Sequence, residues 1–437
     1  MEGRVLGVYL LGVFLGALDT NVLGPVFPLL ERSFHTTLAW TAWTVTIYTV
    51  AYVAATVLAG ALGDRLGHKA FFTYGIVAFG VASVVAAVSP SLGLFLAARA
   101  IQGAGAGAVY PNAQAEGMRR FPPERRGLAL GIFGATFGLA SVLGPIVGGL
   151  IGQYLGWPWV FLINAPLALA VLGMARRLPA SERSARDIPD PVGGVAFATF
   201  LASALLWIMA GAPVRWVAFA FAVVLGLVFW VRQRQAATPF LDTVPLASAA
   251  GVAVMVGAAI IGMDMSAAVF VPTLAQTALG FSVVGSGLAL LPAAVSGALL
   301  AGAAGVLVDR IGPRPVLVVG LLAGTLGGLL LAWPHLSLAR FLVAMVAFGL
   351  GTAFTMGAPL NRLGVGLYRE DQAGEALALM AVFRSVGLAA GPVVLTVGER
   401  VRGFTGMFGI VAVLSAVGAL LFAAVRTARG GAREALR

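Results

Sequence analysis

The chain has 437 residues, of which 60% are hydrophobic and only 10% are charged. About a quarter of the residues of a soluble domain are charged, so this composition excludes a soluble globular protein and indicates a membrane protein along nearly the whole chain. The absence of cysteine excludes disulfides and thiolate metal sites, and the formal net charge of +11 arises mainly in short loops between apolar segments, which favours anionic lipid headgroups over nucleic acid as the partner.

Apolar segments long enough to cross a bilayer follow one another along the chain. A membrane-spanning helix needs about 20 apolar residues, and we predict fourteen of them. Their approximate bounds are 4–30, 40–62, 71–90, 92–113, 127–152, 157–175, 192–211, 213–232, 248–274, 283–308, 315–333, 335–360, 376–398 and 405–427. The first segment is too long for a cleaved signal peptide. The sequence therefore predicts an all-α polytopic membrane protein.

The basic residues indicate which side of the membrane each loop occupies. With the N-terminus inside, 21 bases fall on the cytoplasmic side and five on the outer side, and such an excess is typical of cytoplasmic loops. Six tryptophans then lie near the outer interface, as in an aromatic belt: Trp40, Trp43, Trp157, Trp159, Trp216 and Trp333. We expect a multi-pass protein of the cytoplasmic membrane with both termini in the cytoplasm.

The two halves of the sequence resemble each other. Three motifs recur in the same order at nearly the same spacing: "GALGDRLGHK" (60–69) as "GVLVDRIGPR" (305–314), "FLAARAIQGAG" (95–105) as "FLVAMVAFGLG" (341–351), and Gly144, Pro145 as Gly391, Pro392. Such a pattern indicates two homologous halves of six spans each.

The repeat predicts three regions. We place an N-terminal six-helix bundle at 1–175, a linker with a two-helix insertion at 176–245, and a C-terminal six-helix bundle with a short basic tail at 246–437. Duplicated six-helix bundles are the plan of one large transporter class, in which the substrate site lies near the bilayer midplane between the halves.

Two carboxylates lie deep within the predicted spans and are related by the repeat. Asp19, in "GALDTNVLGPVFP", and Asp264, in "GMDMSAAVFVP", are 245 residues apart. A charge at the bilayer centre costs at least about 2.5–3.5 kcal/mol, so such a residue usually faces a cavity or a partner. Each acid could bind the proton that drives transport or make a purely structural hydrogen bond, and Asp19 could instead cap a helix break before Pro25.

Arg99 is the expected counter-charge of Asp19. At about 1.5 Å per residue, Arg99 lies ~10 Å and Asp19 ~16 Å below the outer ends of their spans, a difference that an arginine side chain can bridge if spans one and four adjoin. The repeat aligns Arg99 with Met345, so the fold does not require the base. A snorkelling arginine at the outer interface is the alternative. For Asp264, Arg384 in span thirteen is the candidate partner.

Several motifs resemble those of the major facilitator superfamily. The loop motif is matched by Gly60, Asp64, Arg65, Gly67 and Lys69, the fourth-helix motif by Arg99, Gln102, Gly103 and Gly105, and the fifth-helix antiporter motif by Gly144, Pro145, Gly148 and Gly149. The segments "WPWVFLINAP" (157–166) and "LDTNVLGPVFP" are similar to parts of the fourteen-span drug/proton antiporters. The resemblance implies the major facilitator fold, with two extra helices between the bundles.

The loop motif predicts a cytoplasmic gate. An acid and a base at Asp64 and Arg65 can latch neighbouring helices, with Glu116 as a further partner, and the same pair recurs as Asp309 and Arg310. These residues could instead merely fix a turn and the topology. The antiporter motif, duplicated at Gly391 and Pro392, could be a shaped, moving interface or ordinary glycine packing.

The leading hypothesis is a proton-coupled multidrug efflux antiporter that exports hydrophobic, often cationic compounds by alternating access. Asp19 and Arg99 would couple the proton, and Asp264 would assist. The candidates for the substrate cavity are Asn21, Gln102, Asn112, Asp264, Gln276 and Arg384. The alternative is a lipid or glycolipid exporter or flippase of the same fold.

The expected partners are amphiphilic small molecules, protons and membrane lipids. We expect a monomer that binds no nucleic acid, metal or cofactor and uses the proton gradient as its energy source. We also expect that it is not an enzyme, because no nucleophile–base constellation, metal cluster or phosphate-binding loop is present in the sequence.

Overall fold

Helices form all the regular secondary structure in the part of the chain that the structure describes. The structure, a computed structural model, describes residues 2–119, 121, 126–179, 190–211, 214–241, 248–356, 358–365 and 373–424. Within these ranges, thirteen helical segments are long and apolar enough to cross a membrane. The last of them covers two predicted spans, because its helix continues through a break at Arg402 and Gly403. The predicted all-α polytopic fold is confirmed.

The helices of the first half and of the insertion follow the predicted spans closely. They are α1 (Glu2–Asn21), α2 (Phe27–Phe34), α3 (Leu38–Leu66), α4 (His68–Ala87), α5 (Leu92–Arg119), α6 (Arg126–Tyr154), α7 (Trp157–Leu162), α8 (Asn164–Ala175), α9 (Pro191–Met209) and α10 (Val214–Gln235). The order α1 to α8 contains six spans, because α1 with α2 and α7 with α8 each belong to one predicted span.

The second half has the same kind of interruption. Its helices are α11 (Ala249–Ser266), α12 (Val271–Leu279), α13 (Val283–Leu288), α14 (Leu291–Ile311), α15 (Pro313–Leu331), α16 (Leu338–Thr355), α17 (Ala358–Val365) and α18 (Ala373–Ala424). Parts of the predicted linker, at 180–189 and 242–247, and the predicted basic tail at 425–437 lie outside the described residues.

The first span of each half is broken at a corresponding place. A 3-10 turn at Gly24–Val26 separates α1 from α2, and one at Ala267–Phe270 separates α11 from α12. A proline lies in the first turn of α2 and of α12, where its fixed φ suits a helix start and its missing N–H removes no helical hydrogen bond. Asp19 and Asp264 each lie two residues before the end of their helix.

The chain divides into two compact units. The first contains Met1–Phe240 together with Val269–Ala289, and the second contains Leu241–Ala268 together with Leu290–Arg437. The predicted bundle boundaries at 175 and 246 stay a prediction.

The core of the first unit lies where α1, α4, α5, α6 and α8 meet. Tyr9, Phe72, Phe79 and Phe133 are fully buried there. The glycines of α5 let α3 come unusually close: a Cβ on Gly103 would lie 2.1 Å from the Tyr48 carbonyl oxygen. Small residues permit such backbone approach between membrane helices. In the second unit, the core joins α11, α15 and α18.

The two inserted helices pack on each other, and α9 also contacts α3. Asp190 caps α9, and its Oδ1 accepts a hydrogen bond from the backbone N–H of Val192 at 3.1 Å. Arg232, near the end of α10, donates to the same carboxylate through Nε at 2.8 Å and Nη2 at 2.7 Å. This hydrogen-bonded guanidinium holds the pKa of Asp190 below its usual range. The pair therefore fastens one end of the hairpin.

Candidate functional site

The carboxylate of Asp19 is fully paired and buried inside the first unit. Its Oδ2 forms an ion pair with Nη1 of Arg99, and both side chains are 0% exposed. Its Oδ1 accepts a hydrogen bond from Nδ2 of Asn164 at 2.7 Å. The structure thus confirms the contact between Asp19 and Arg99 that the helical rise predicted, and it excludes a snorkelling Arg99.

The guanidinium of Arg99 is held on several sides. Its Nη1 also donates to Oε1 of Gln102 at 2.9 Å, and its Nε donates to the carbonyl oxygen of Thr44 at 3.3 Å. Its Cζ lies 4.3 Å from the ring centroid of Tyr48 and 5.6 Å from that of Phe161. An aromatic face attracts a cation electrostatically. The remaining nitrogen, Nη2, donates no hydrogen bond to any described residue.

Gln102 continues the network away from Asp19. Its Nε2 donates to Oγ of Ser83 at 2.6 Å, and that hydroxyl donates to the Phe79 carbonyl oxygen at 2.8 Å. Gln102 was predicted to line the substrate cavity. The structure places it, fully buried, behind the ion pair, where it fixes the position of the guanidinium.

Four further residues of this network were not selected from the sequence: Thr44, Tyr48, Ser83 and Asn164. Asn164 is the first residue of α8 and lies within "WPWVFLINAP", so an amide inside an apolar segment was the signal that could have found it. Thr44 and Tyr48 carry no such signal, because they contribute a backbone carbonyl and a ring. Ser83 carries none either, because serine hydroxyls in helices commonly bond to their own backbone.

The electrostatics of the site depend on complete pairing. Removing one partner of a buried ion pair leaves an uncompensated charge and costs about 3–5 kcal/mol. Here α1, α4, α5 and α8 supply polar side chains, α3 supplies a carbonyl oxygen and a ring, and α7 supplies a second ring. A change in the charge of Asp19 would therefore be felt by most helices of the first bundle.

Asp264 has a different environment in the second unit. Its Oδ2 accepts a hydrogen bond from Oγ of Ser415 on α18 at 2.6 Å. Its Oδ1 is buried and has no hydrogen-bond partner among the described residues. The expected ion pair with Arg384 is not among the salt bridges of the described residues.

Arg384 lies elsewhere in the second unit. Its backbone packs closely on α11, since a Cβ on Gly262 would lie 1.9 Å from its carbonyl oxygen. Its side chain lines a cavity of about 190 Å³ together with Asn361, Leu377 and Met380. The structure brings a cation to a cavity wall, but not to the acid that the sequence assigned to it.

Asn21 and Gln276, two other cavity candidates, make structural hydrogen bonds. Asn21 donates to the Ala17 carbonyl oxygen at 2.8 Å and to Ser141 Oγ at 3.4 Å. Gln276 donates to the Pro25 carbonyl oxygen and to Ser286 Oγ, both at 2.9 Å. These contacts join α1 to α6 and the Gly24–Val26 turn to α12 within the first unit.

The loop motif forms a cluster at the junction of α3, α4 and α5. Asp64 lies 3.2 Å from His68 Nε2 and 3.8 Å from Arg119 Nη2, and Arg119 also reaches Glu116 at 3.9 Å. Arg65, the expected base, is exposed. Asp64 of α3 therefore contacts His68 of α4 and Arg119 of α5, and the cytoplasmic gate stays a prediction.

Asn112, predicted to line the substrate cavity, belongs to this cluster instead. Its Oδ1 lies 2.8 Å from His68 Nδ1, and its Nδ2 donates to the Ala59 carbonyl oxygen at 2.9 Å. Gly63 makes room for it, because a Cβ there would lie 1.7 Å from Asn112 Oδ1. Asn112 is fully buried, so this placement does not support the expected role.

The other residues of the loop motif have structural places. A Cβ on Gly60 would lie 3.5 Å from Pro111 Cβ, and Gly67 adopts φ 108° between α3 and α4. Lys69 donates to the carbonyl oxygen of Leu178 just beyond α8.

The repeated loop motif is more open. Asp309 pairs with Arg362, but the two side chains are 60% and 59% exposed, and exposed ion pairs contribute little. Arg310 is exposed. The two halves thus differ in the strength of their loop pairs as well as in the partners of their buried acids.

The antiporter motif is a packing seam on α6. A Cβ on Gly148 would lie 2.1 Å from the Val22 carbonyl oxygen, and one on Gly144 would lie 2.6 Å from Asn21 Cβ. Gly149 packs against Val283 of α13. Pro145 and Pro392 lie inside α6 and α18, and Gly391 packs against Ser266 of α11. Gly144 and Gly391 therefore pack closely against α1 and α11, the helices that carry Asp19 and Asp264.

Comparison with known families supports the resemblance that the sequence motifs show, and it does so over nearly the whole chain. The family model described as Major Facilitator Superfamily matches residues 9–392 and 254–436. Puromycin resistance protein pur8 of Streptomyces alboniger is 30% identical over 457 aligned residues, covering 96% of this chain and 89% of that protein. Multidrug efflux pump LfrA of Mycolicibacterium smegmatis is 32% identical, covering 79% of this chain and 71% of the pump.

A solved structure has the same fold. The inward open xylose transporter XylE from E. coli superposes with a TM-score of 0.70 at 15% identity, covering 99% of this chain and 98% of that chain. At this identity the likeness concerns the fold alone.

Proposed function

The chain belongs to the major facilitator superfamily, and we propose that it is a proton-coupled antiporter that exports hydrophobic, often cationic compounds by alternating access. It is a multi-pass membrane protein. Relatives named for puromycin resistance and multidrug efflux support the substrate class. Our proposal includes a monomer in the cytoplasmic membrane with both termini in the cytoplasm, driven by the proton gradient without a cofactor.

The observation that carries the proposal is the buried pair of Asp19 and Arg99. The repeat has methionine at the position matching Arg99, so the fold of a half does not need this base. An ion pair inside the membrane is costly, and the fold does not need this one. Its presence is best explained by a charge that must change during the transport cycle.

Proton binding at Asp19 would change the charge of the site. With the carboxylate ionised, the charges of Asp19 and Arg99 cancel. A proton on Oδ2 removes the negative charge and the acceptor of Nη1, while Gln102 and Tyr48 still hold the guanidinium. The site then carries a net positive charge, which disfavours a cationic compound. Loss of the proton restores the acid, so proton and cation compete for one negative charge.

Asp264 is proposed as the second acid. Its place in the repeat matches that of Asp19, but Ser415 rather than a guanidinium donates to it. Without an ion pair, its carboxylate is available to a substrate cation or to a proton. We assign it an assisting role, since the more complete network surrounds Asp19.

The test is transport by the full chain in liposomes under an imposed pH gradient. A panel of dyes and drugs of different charge, including ethidium, would be measured for the wild type, Asp19→Asn and Asp264→Asn. We expect gradient-driven ethidium transport to be abolished in Asp19→Asn and reduced in Asp264→Asn.

A matched control is Glu399→Gln, which removes an acid in α18 that has no role in the proposal. It should transport ethidium like the wild type. Full gradient-driven transport by Asp19→Asn would contradict the assignment of the proton to this residue. Transport of phospholipid analogues, with no movement of any drug in the panel, would contradict the assigned substrate class.

A further inference from the structure

A groove on the surface of the inserted helices has an apolar floor and a basic end. Val192, Val195 and Thr199 of α9 face Leu225 and Val228 of α10 across a volume of about 430 Å³. Most of α10 is open to the surroundings: Trp216, Phe221 and Leu227 are 64%, 58% and 57% exposed. In a membrane protein, such apolar surface faces lipid chains. The groove is therefore shaped and lined for a hydrocarbon chain.

The end of the groove carries a cationic group, Arg232. Arg232 follows Leu225 by seven residues and Val228 by four, so it lies on the same face of α10. Its partner Asp190 directly precedes Pro191, which also lines the groove. The carboxylate of Asp190 is only 3% exposed, whereas the side chain of Arg232 is 43% exposed. Arg232, the cation, is consequently the exposed member of this ion pair.

A second arginine and a tryptophan lie near the same end of α10 but on its other face, because Arg234 and Trp230 are each two residues, about 200°, away from Arg232. The Cζ of Arg234 lies 4.2 Å from the ring centroid of Trp230, and both side chains are exposed. Amphipathic aromatic rings are enriched at the level of lipid headgroups. The basic-residue bias of the sequence predicts this end of α10 to be cytoplasmic, where anionic lipids attract basic residues near the membrane surface.

We propose that this groove is a binding site for one anionic phospholipid. An acyl chain lies between α9 and α10, and the phosphodiester is bound by the exposed side of the Arg232 guanidinium. Charge selects an anionic headgroup over a zwitterionic one, since Arg232 is the exposed member of its pair and the carboxylate of Asp190 is buried. The proposal concerns the inserted helices alone and does not depend on proton coupling.

The test is native mass spectrometry of the delipidated full chain after addition of phosphatidylglycerol or phosphatidylcholine with identical acyl chains. We expect the wild type to retain phosphatidylglycerol at least fivefold better than phosphatidylcholine. Thr199→Trp, which fills the groove and leaves the ion pair intact, should lower the retention of phosphatidylglycerol at least fivefold. Arg232→Gln should lower the preference between the two lipids, whereas Arg234→Gln, on the other face of α10, should keep it.

Val223→Trp is the matched control, because it adds the same bulk at an exposed position of α10 outside the groove. It should retain phosphatidylglycerol like the wild type. Equal retention of both lipids by the wild type, or unchanged retention in Thr199→Trp, would overturn the proposal. So would equal losses in Thr199→Trp and Val223→Trp. Near-ultraviolet circular dichroism of each variant verifies that the chain is folded.

Discussion

Replacing Arg99 by methionine, the residue at the matching place of the second half, tests the buried pair directly. The substitution leaves Asp19 with the Asn164 hydrogen bond on Oδ1 and removes the donor of Oδ2. It also removes the cation that balances the carboxylate inside the bundle. The apolar methionine fills much of the space beside the Tyr48 and Phe161 rings, so loss of packing is a minor part of the effect.

The magnitude follows from the burial of both side chains, which are 0% exposed. Breaking a fully buried pair on one side costs about 3–5 kcal/mol. A loss of 1 kcal/mol lowers the melting temperature of a domain of about 150–250 residues by about 2–4 °C. We expect Arg99→Met to melt at least about 5 °C below the wild type in detergent at neutral pH, and to lose gradient-driven ethidium transport.

The double variant Arg99→Met with Asp19→Asn separates charge from packing. Because it removes both charges, it should regain at least half of the lost melting temperature while transport stays absent. Replacing a buried pair by neutral groups is often without cost. The reasoning would be refuted if Arg99→Met melted within 1 °C of the wild type, or if the double variant were no more stable than the single one.

Three further predictions concern other contacts. Asn164→Ala removes the second donor to Asp19. It should lower the free energy of unfolding by about 1.5–3 kcal/mol, the range for hydrogen bonds to charged groups, and it should slow ethidium efflux. Unchanged melting and efflux would show that the amide is dispensable. Gly148→Ala places a methyl group 2.1 Å from the Val22 carbonyl oxygen, whereas the methyl group of Gly134→Ala meets no atom within 4 Å. Only Gly148→Ala should therefore lower the yield of folded protein in size-exclusion chromatography. Equal yields for the two variants would argue against close packing of α6 on α1. Because Arg232 lowers the pKa of Asp190, this ion pair stabilises the fold above about pH 4, and the stabilisation is lost as the pH falls through the lowered pKa. Asp190→Asn should therefore melt at a lower temperature than the wild type at pH 7. A difference in melting temperature that persists at the lowest attainable pH would contradict the ion pair as its cause.

The sequence predicted the helices well because each span is a nearly continuous apolar run. A break before Pro25 was one alternative for Asp19, but the break after Ser266 was not predicted, since an apolar run looks the same whether its helix is straight or interrupted. Pro25 and Pro272 mark these breaks only once the helix ends are known. The merged helix α18 shows the reverse case, since the break at Arg402 and Gly403 separates two spans without a loop.

The candidate site could be predicted where a charge stood out against an apolar background. Asp19 and Arg99 were found in this way, and the rise of a helix was enough to pair them. Asn112 belongs to the His68 cluster, and Arg384 lines a cavity without pairing with Asp264, because a polar residue in a span can face any neighbouring helix, and one sequence does not tell which. Ser415 meets Asp264 from 151 residues away, and a serine among many small residues carries no signal of its own.

The junction of α7 and α8 has an optical consequence. Phe161 stacks near Arg99, and Asn164, three residues later, bonds Asp19, so this short segment contacts both members of the pair. At its other end Trp157 lies against Phe34 and Phe95, with ring centroids 5.3 and 5.6 Å away, and its indole N–H donates to Ser33 Oγ. A rearrangement around Asp19 that shifts this segment would change the surroundings of the indole. Intrinsic tryptophan fluorescence, compared between the wild type and Trp157→Phe, then becomes a label-free report on events at a buried carboxylate.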